Sequence, residues 1–186
     1  MPLPEIIHQA LDMAIQNGGE TDESQFYGLY TLLLSNFFPP EEEYMVVPQC
    51  KPPTQLKSVN FTPMFIVRHK FHPVFFVEIG SSGSLRHISS REEADLLMRE
   101  RFKHLPEDVE IGTLYGASAF GTKICMYKLN RASHQLSPSV ISGNPELVTD
   151  TAPIDRWNID IMTPEGEEEL RKVVLLIKEM SCRLCR

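Results

Sequence analysis

Residues 60–80, NFTPMFIVRHKFHPVFFVEIG, dictate more about the fold than any other stretch of the chain. Two apolar runs, 61–68 and 74–79, are rich in Val, Ile and Phe, the side chains that pack best on a pleated surface. A short basic connection from His69 to Pro73 joins them, so the pattern predicts two strands. Pro63 and Pro73 fall near strand starts, where a missing N–H removes least from a ladder. One residue is out of character. Glu78 places a carboxylate near the end of a run otherwise destined for the core. A buried carboxylate with no partner is expensive, so Glu78 needs a cation, a metal or a route to water. It is the first candidate functional residue.

The bulk properties narrow the class. A length of 186 residues suits a single domain spanning 1–186, able to bury roughly 70% of its unfolded surface without staples. The net charge of −7 disfavours nucleic acid as a partner, because neutralising phosphates needs clustered Lys and Arg; a local basic patch could still sit on an acidic body. Cys50, Cys125, Cys182 and Cys185 are scattered, and the Cys182/Cys185 pair lacks a second pair or a His cluster to complete a zinc site. Reduced thiols are the plainer expectation. The opening MPLPEIIHQAL has no basic stretch followed by an apolar core, and no apolar run approaches the ~20 residues of a membrane helix. An intracellular protein, cytoplasmic or nuclear and with no membrane partner, is expected.

Periodicity supplies the remaining elements. Ile7, Ala10, Leu11 and Ala14 share one helical face, and Asn17-Gly18-Gly19 stops that helix. Asp22 with Gln25 resembles a capping box opening a second helix through Phe37, apolar on most sides and therefore central. Pro39-Pro40 ends it, and Tyr44 to Val47 reads as a short strand stopped by Pro48. After the two central runs, Ser90 with Glu93 reads as a capping box for a helix reaching Leu105, with Ala94, Leu97, Met98, Phe102 and the stem of Arg101 on its apolar stripe. Residues 111–117 and 120–129 read as strands, 131–153 as a long polar loop, and 156–161 as a short extended piece. Thr163-Pro164 starts a last amphipathic helix over 163–181. The order predicts an α/β domain, bordering on α+β, with a mixed central sheet between N- and C-terminal helices.

Over residues 20–130, an αβββαβ order with an acidic residue near the end of the third strand resembles the PD-(D/E)XK nuclease-like superfamily, a restriction-endonuclease-like fold. In that superfamily an Asp on the second strand and a Glu-x-Lys on the third meet at one end of the sheet. The carboxylates hold Mg²⁺ or Mn²⁺, and the Lys orients the attacking water. The resemblance puts Glu78 at the acidic position of FFVEIG, Gly80 where the Lys would stand, and the amide Asn60 at or near the second-strand acid. Gln49 and Glu23 fall where accessory polar residues often lie. It therefore implies catalytic positions Glu78, Asn60, Gln49 and Glu23, with Glu78 as the metal ligand. The stretches 72–105 and 152–180 are also similar to an uncharacterised fungal family of small intracellular proteins, which implies no activity.

With a charge missing at Asn60 and a cation missing at Gly80, the chemistry favours a degenerate site with no cofactor, in a nuclease-like domain that binds or regulates a partner. An active nuclease would require Mg²⁺ or Mn²⁺ and a basic residue migrated from Lys70, Arg91 or Arg99. A third reading is a homo-oligomeric interaction protein, for example a homodimer, with no nucleic-acid role. As a purely structural carboxylate, Glu78 would pair with Arg68, Arg86 or His87. His69, His72 and His87 are expected as surface or capping residues, the alternative being a zinc site, with His69 and His72 on opposite sides of a turn; Trp157 is expected as a core anchor.

Overall fold

The computed structural model describes residues 3–49, 64–104, 109–143 and 149–183. The chain runs α1 (Glu5–Gln16), α2 (Tyr27–Phe37), β1 (Tyr44–Gln49), β2 (Met64–His69), β3 (His72–Gly80) and α3 (Ile88–His104), followed by β4 (Thr113–Phe120) and β5 (Lys123–Asn130). It ends with β6 (Gln135–Ser137), β7 (Ile159–Asp160) and α4 (Pro164–Arg183). The strands form one mixed sheet in the order β1-β2-β3-β4-β5-β6. Among the described strands only β3 and β4 are parallel, and α3 is the crossover that parallel neighbours require. Strand β7 pairs with the start of β5, along the same edge that β6 occupies further on.

Helices cover both faces, which explains why β2 and β3 are buried almost throughout and do not alternate. Side chains on a strand point to opposite faces in turn. Phe76 meets Phe102 of α3 at 4.8 Å between ring centroids, whereas Phe75 stacks on Phe38, just after α2, at 6.0 Å. Helix α4 shares the α2 side: Arg171 lies over the Phe37 ring and Lys178 over that of Tyr44. Gly116 is required for the α3 side to close, because a Cβ there would stand 2.7 Å from the Phe76 ring.

The hairpin at the centre turns more tightly than the sequence suggests. Lys70 and Phe71 form a two-residue turn with φ of +47° and +74°, each in the left-handed region that suits the twist of a hairpin. That conformation costs roughly 1–2 kcal/mol per non-glycine residue, offset here by a central, fully covered strand pair. His69 and His72 are consequently partners directly across the hairpin. His69 is not a surface residue: it is buried against the Tyr44 ring, 4.8 Å between centroids. Its pKa is lowered by burial and then by the neighbouring Lys70 charge.

Several boundaries differ from the periodicity. Strand β1 continues through Pro48, which is tolerated because β1 is an edge strand. The second helix begins as a tight 3-10 turn, Glu23–Phe26, with Asp22 accepting from the Ser24 N–H and the Gln25 amide. Helix α3 starts at Ile88, so Ser90 lies inside its first turn instead of capping it. The region read as one long loop contains β6, and Arg156 belongs to a helical turn, Ile154–Arg156, not an extended piece. Trp157 is a core anchor, packed on Phe120 at 5.4 Å and donating its indole N–H to the Ser118 hydroxyl.

Candidate functional site

The site forms where the parallel pair ends. Crevices outside the carboxyl ends of parallel strands are where open α/β sheets place ligands. Here a cavity of about 440 Å³ opens between the ends of β3 and β4, the first half of α3 and the turn before α2. Glu78, Ser118 and the 79–81 and 119–120 segments come from the strands, Ser90, Glu93, Ala94 and Leu97 from α3, and Glu23 from the turn. Glu23 reaches this place because the 18–22 turn is tied to the segment after β3. Ser82 N–H donates to the Gly19 carbonyl, Gly83 N–H to the Glu20 carbonyl, and Arg86 pairs with Glu20.

Glu78 faces α3, two residues beyond Phe76 on the same side of β3. Its partner is Arg101, whose Nε lies 2.5 Å from Oε1; the two side chains are 11% and 4% exposed, Arg101 first. Arg101 therefore does more than cover the core with its stem. The three partners expected from sequence are engaged elsewhere or absent from the pair. Arg68 turns back to the Phe71 carbonyl, Arg86 goes to Glu20, and His87 closes the turn after β3. The other oxygen of Glu78, Oε2, is buried and accepts no hydrogen bond among the described residues. Burial pushes the Glu78 carboxyl up to about 7, and the Arg101 charge and hydrogen bond offset only part of that.

Of the four positions singled out in the sequence, Glu78 and Glu23 line the same cavity. Gln49 does not. It sits in the same cross-strand row as Glu78, with Met64 between them, at the end of the edge strand. Asn60 lies outside the described residues. Gly80 is closed to any longer side chain, because a Cβ there would stand 2.8 Å from the Phe120 ring. The three basic residues considered as replacements do not line the cavity. Lys70 pairs with Glu43 at the hairpin turn, and Arg99 makes two bonds to Asp95. Arg91, only 3% exposed, donates to the Leu85 and Ala152 carbonyls and to Asp150.

Those arginines belong to a second polar cluster, of which the sequence pattern signals only the i, i+4 pair Asp95–Arg99. Asp95 accepts from Arg99, Arg156 and the Tyr127 hydroxyl, while Arg99 and Arg156 also hold the Pro138 and Ser139 carbonyls. Glu92 takes the Thr151 hydroxyl. The cluster fastens the segments flanking residues 144–148 to α3 and is structural in character. Burial drives the Cys125 thiol beside it up to about 12, which leaves it inert as a nucleophile.

The donors do not fit a divalent metal. One oxygen of Glu78 is taken by a guanidinium, and no three His, Cys, Asp or Glu side chains among the described residues come together closely enough to hold an ion. The 50–63 stretch, which leads into β2, contains no Asp or Glu that could supply a second carboxylate. No helix among the described residues is long and apolar enough to cross a membrane. No family model, curated protein or solved structure matches the chain.

Proposed function

We propose that the chain is a nuclease-like domain of PD-(D/E)XK type that no longer cuts phosphodiesters and acts as a binding or regulatory protein. The observation that carries this reading is the Arg101 guanidinium on Glu78. At the third-strand position, where the superfamily pattern places one of its two metal-binding carboxylates, the charge is already compensated by a fixed cation from the crossover helix. A divalent ion entering there would meet that cation at close range in a poorly solvated place, where like charges repel strongly. The packing at Gly80 supports the same conclusion, since the Phe120 ring fills the space a water-orienting Lys would need. Further support comes from the strand arrangement: three antiparallel neighbours, a helical crossover, then a fourth strand parallel to the third.

The acidic character of the cavity also argues against phosphate as its ligand. Glu23, Glu78 and Glu93 line it, and no basic side chain does so among the described residues. The reading is tested by incubating the purified protein with single- and double-stranded DNA and RNA in Mg²⁺ or Mn²⁺. No cleavage above a buffer control is expected. Metal-dependent cleavage that disappears in Glu78→Gln, with the fold of that variant verified by circular dichroism, would contradict it.

A further inference from the structure

We infer that the corner where the hairpin turn meets β1 is an acid-sensitive latch: protonation of His69 releases Tyr44 and frees the end of the edge strand. The inference does not depend on the reading of Glu78. Among the described strands β1 pairs only with β2, so the contacts at its ends decide how readily it leaves the sheet. Its first residue, Tyr44, is the register partner of His69, and the two rings meet at 4.8 Å between centroids. Tyr44 is 5% exposed and His69 8%, and Phe38 closes over Tyr44 at 5.3 Å. The group that fastens the strand is therefore a covered imidazole.

An imidazolium finds little to balance it at this place. Lys70 follows His69 in the turn, and Lys178 of α4 already lies over the Tyr44 ring, 5.8 Å from its centroid. The carboxylates of the corner are engaged. Glu43 pairs with Lys70, Glu42 with Lys178, and Glu110 with His72, which stands directly across the hairpin from His69. Arg68, on the other side of His69 in the chain, donates to the Phe71 carbonyl. Burial, and then the Lys70 charge, lowers the His69 pKa, and Glu43 offsets only part of this. The opened corner accordingly takes up a proton more readily than the closed one. Its stability is complete above about 6.5, the ordinary histidine value, and is lost as pH falls below that toward the lowered value.

Backbone strain at the same corner acts in the same direction. Glu43, Lys70 and Phe71 have φ of +64°, +47° and +74°, and the Glu43 carbonyl accepts from the Lys70 N–H. Three adjoining non-glycine residues in the left-handed region carry a conformational cost that opening returns. Phe71 is 78% exposed, so its side chain adds little packing to hold the turn shut.

The test is nuclear magnetic resonance on the isotope-labelled full chain, from about pH 7.5 to about pH 5. The His69 ring signals are expected to titrate below the ordinary histidine value. Protection factors of the β1 amides, corrected for the intrinsic pH dependence of exchange, should fall roughly tenfold as pH decreases, and those of β3 and β4 should not. Glu78 cannot mimic that pattern, because its carboxyl, raised to about 7, loses stability as pH rises and lies on β3. His69→Phe keeps a ring against Tyr44 and takes no proton, so β1 protection should become independent of pH. Lys70→Gln alters an exposed side chain and should move the His69 titration toward the ordinary value, with a smaller fall in protection. A His69 midpoint at or above the ordinary value would overturn the latch. So would constant β1 protection in the unaltered chain, or a fall that persists unchanged in every variant that folds.

Discussion

At the residue scale the protein turns on two side chains, Glu78 and Arg101. Their pairing is a buried one, and such pairs owe little net stability to mutual attraction because both charges give up water to form it. Removing one partner is different, since it strands the other. Glu78→Met and Arg101→Met should each cost about 3 kcal/mol, while the double variant should cost far less than the sum. Chemical denaturation of all four proteins measures this. Additive losses would mean that the two groups do not compensate one another. The sequence made Glu78 conspicuous, because a carboxylate in an apolar run demands an explanation. It did not disclose the partner. Arg101 lies among Met98 and Phe102 on a helical stripe, where a long stem over the core is the ordinary reading. The usable signal was mutual: one charge on a buried strand and one opposite charge on the apolar face of the next helix.

At the scale of elements, the parallel pair β3–β4 and its crossover helix position most of the site, and the turn before α2 adds Glu23. The runs in 60–80 announced the central strands, and the αβββαβ order followed from runs and stops that short-range chemistry sets. What stayed hidden depended on contacts distant in sequence. The strand at Gln135–Ser137 is too short to carry a period and exists because β5 offers an edge. In the cluster around Asp95, only Arg99 stands at the i, i+4 spacing of a local helical pair; no local pattern connects these two to Tyr127 and Arg156. Gly80 shows the same dependence, since the need for glycine there comes from Phe120 on the neighbouring strand. Gly80→Ala should cost roughly 1–3 kcal/mol, because its methyl would stand against the Phe120 ring in a close-packed place. Thermal unfolding of that variant checks the point. An unchanged midpoint would show that the ring can move aside and that space for a longer side chain exists.

At the scale of the whole molecule, a net charge of −7 and an acidic cavity point the same way. The carboxylate at the end of β3 is held by an internal guanidinium. The most direct measurement is therefore a Mn²⁺ titration of the labelled protein, reading paramagnetic broadening of each backbone amide. No selective broadening of Glu78, Gly80 and Ser118 is expected at micromolar Mn²⁺, because Arg101 already compensates the carboxylate. Selective, saturable loss of those three signals at micromolar metal would contradict a compensated, non-catalytic Glu78 and return the site to metal chemistry.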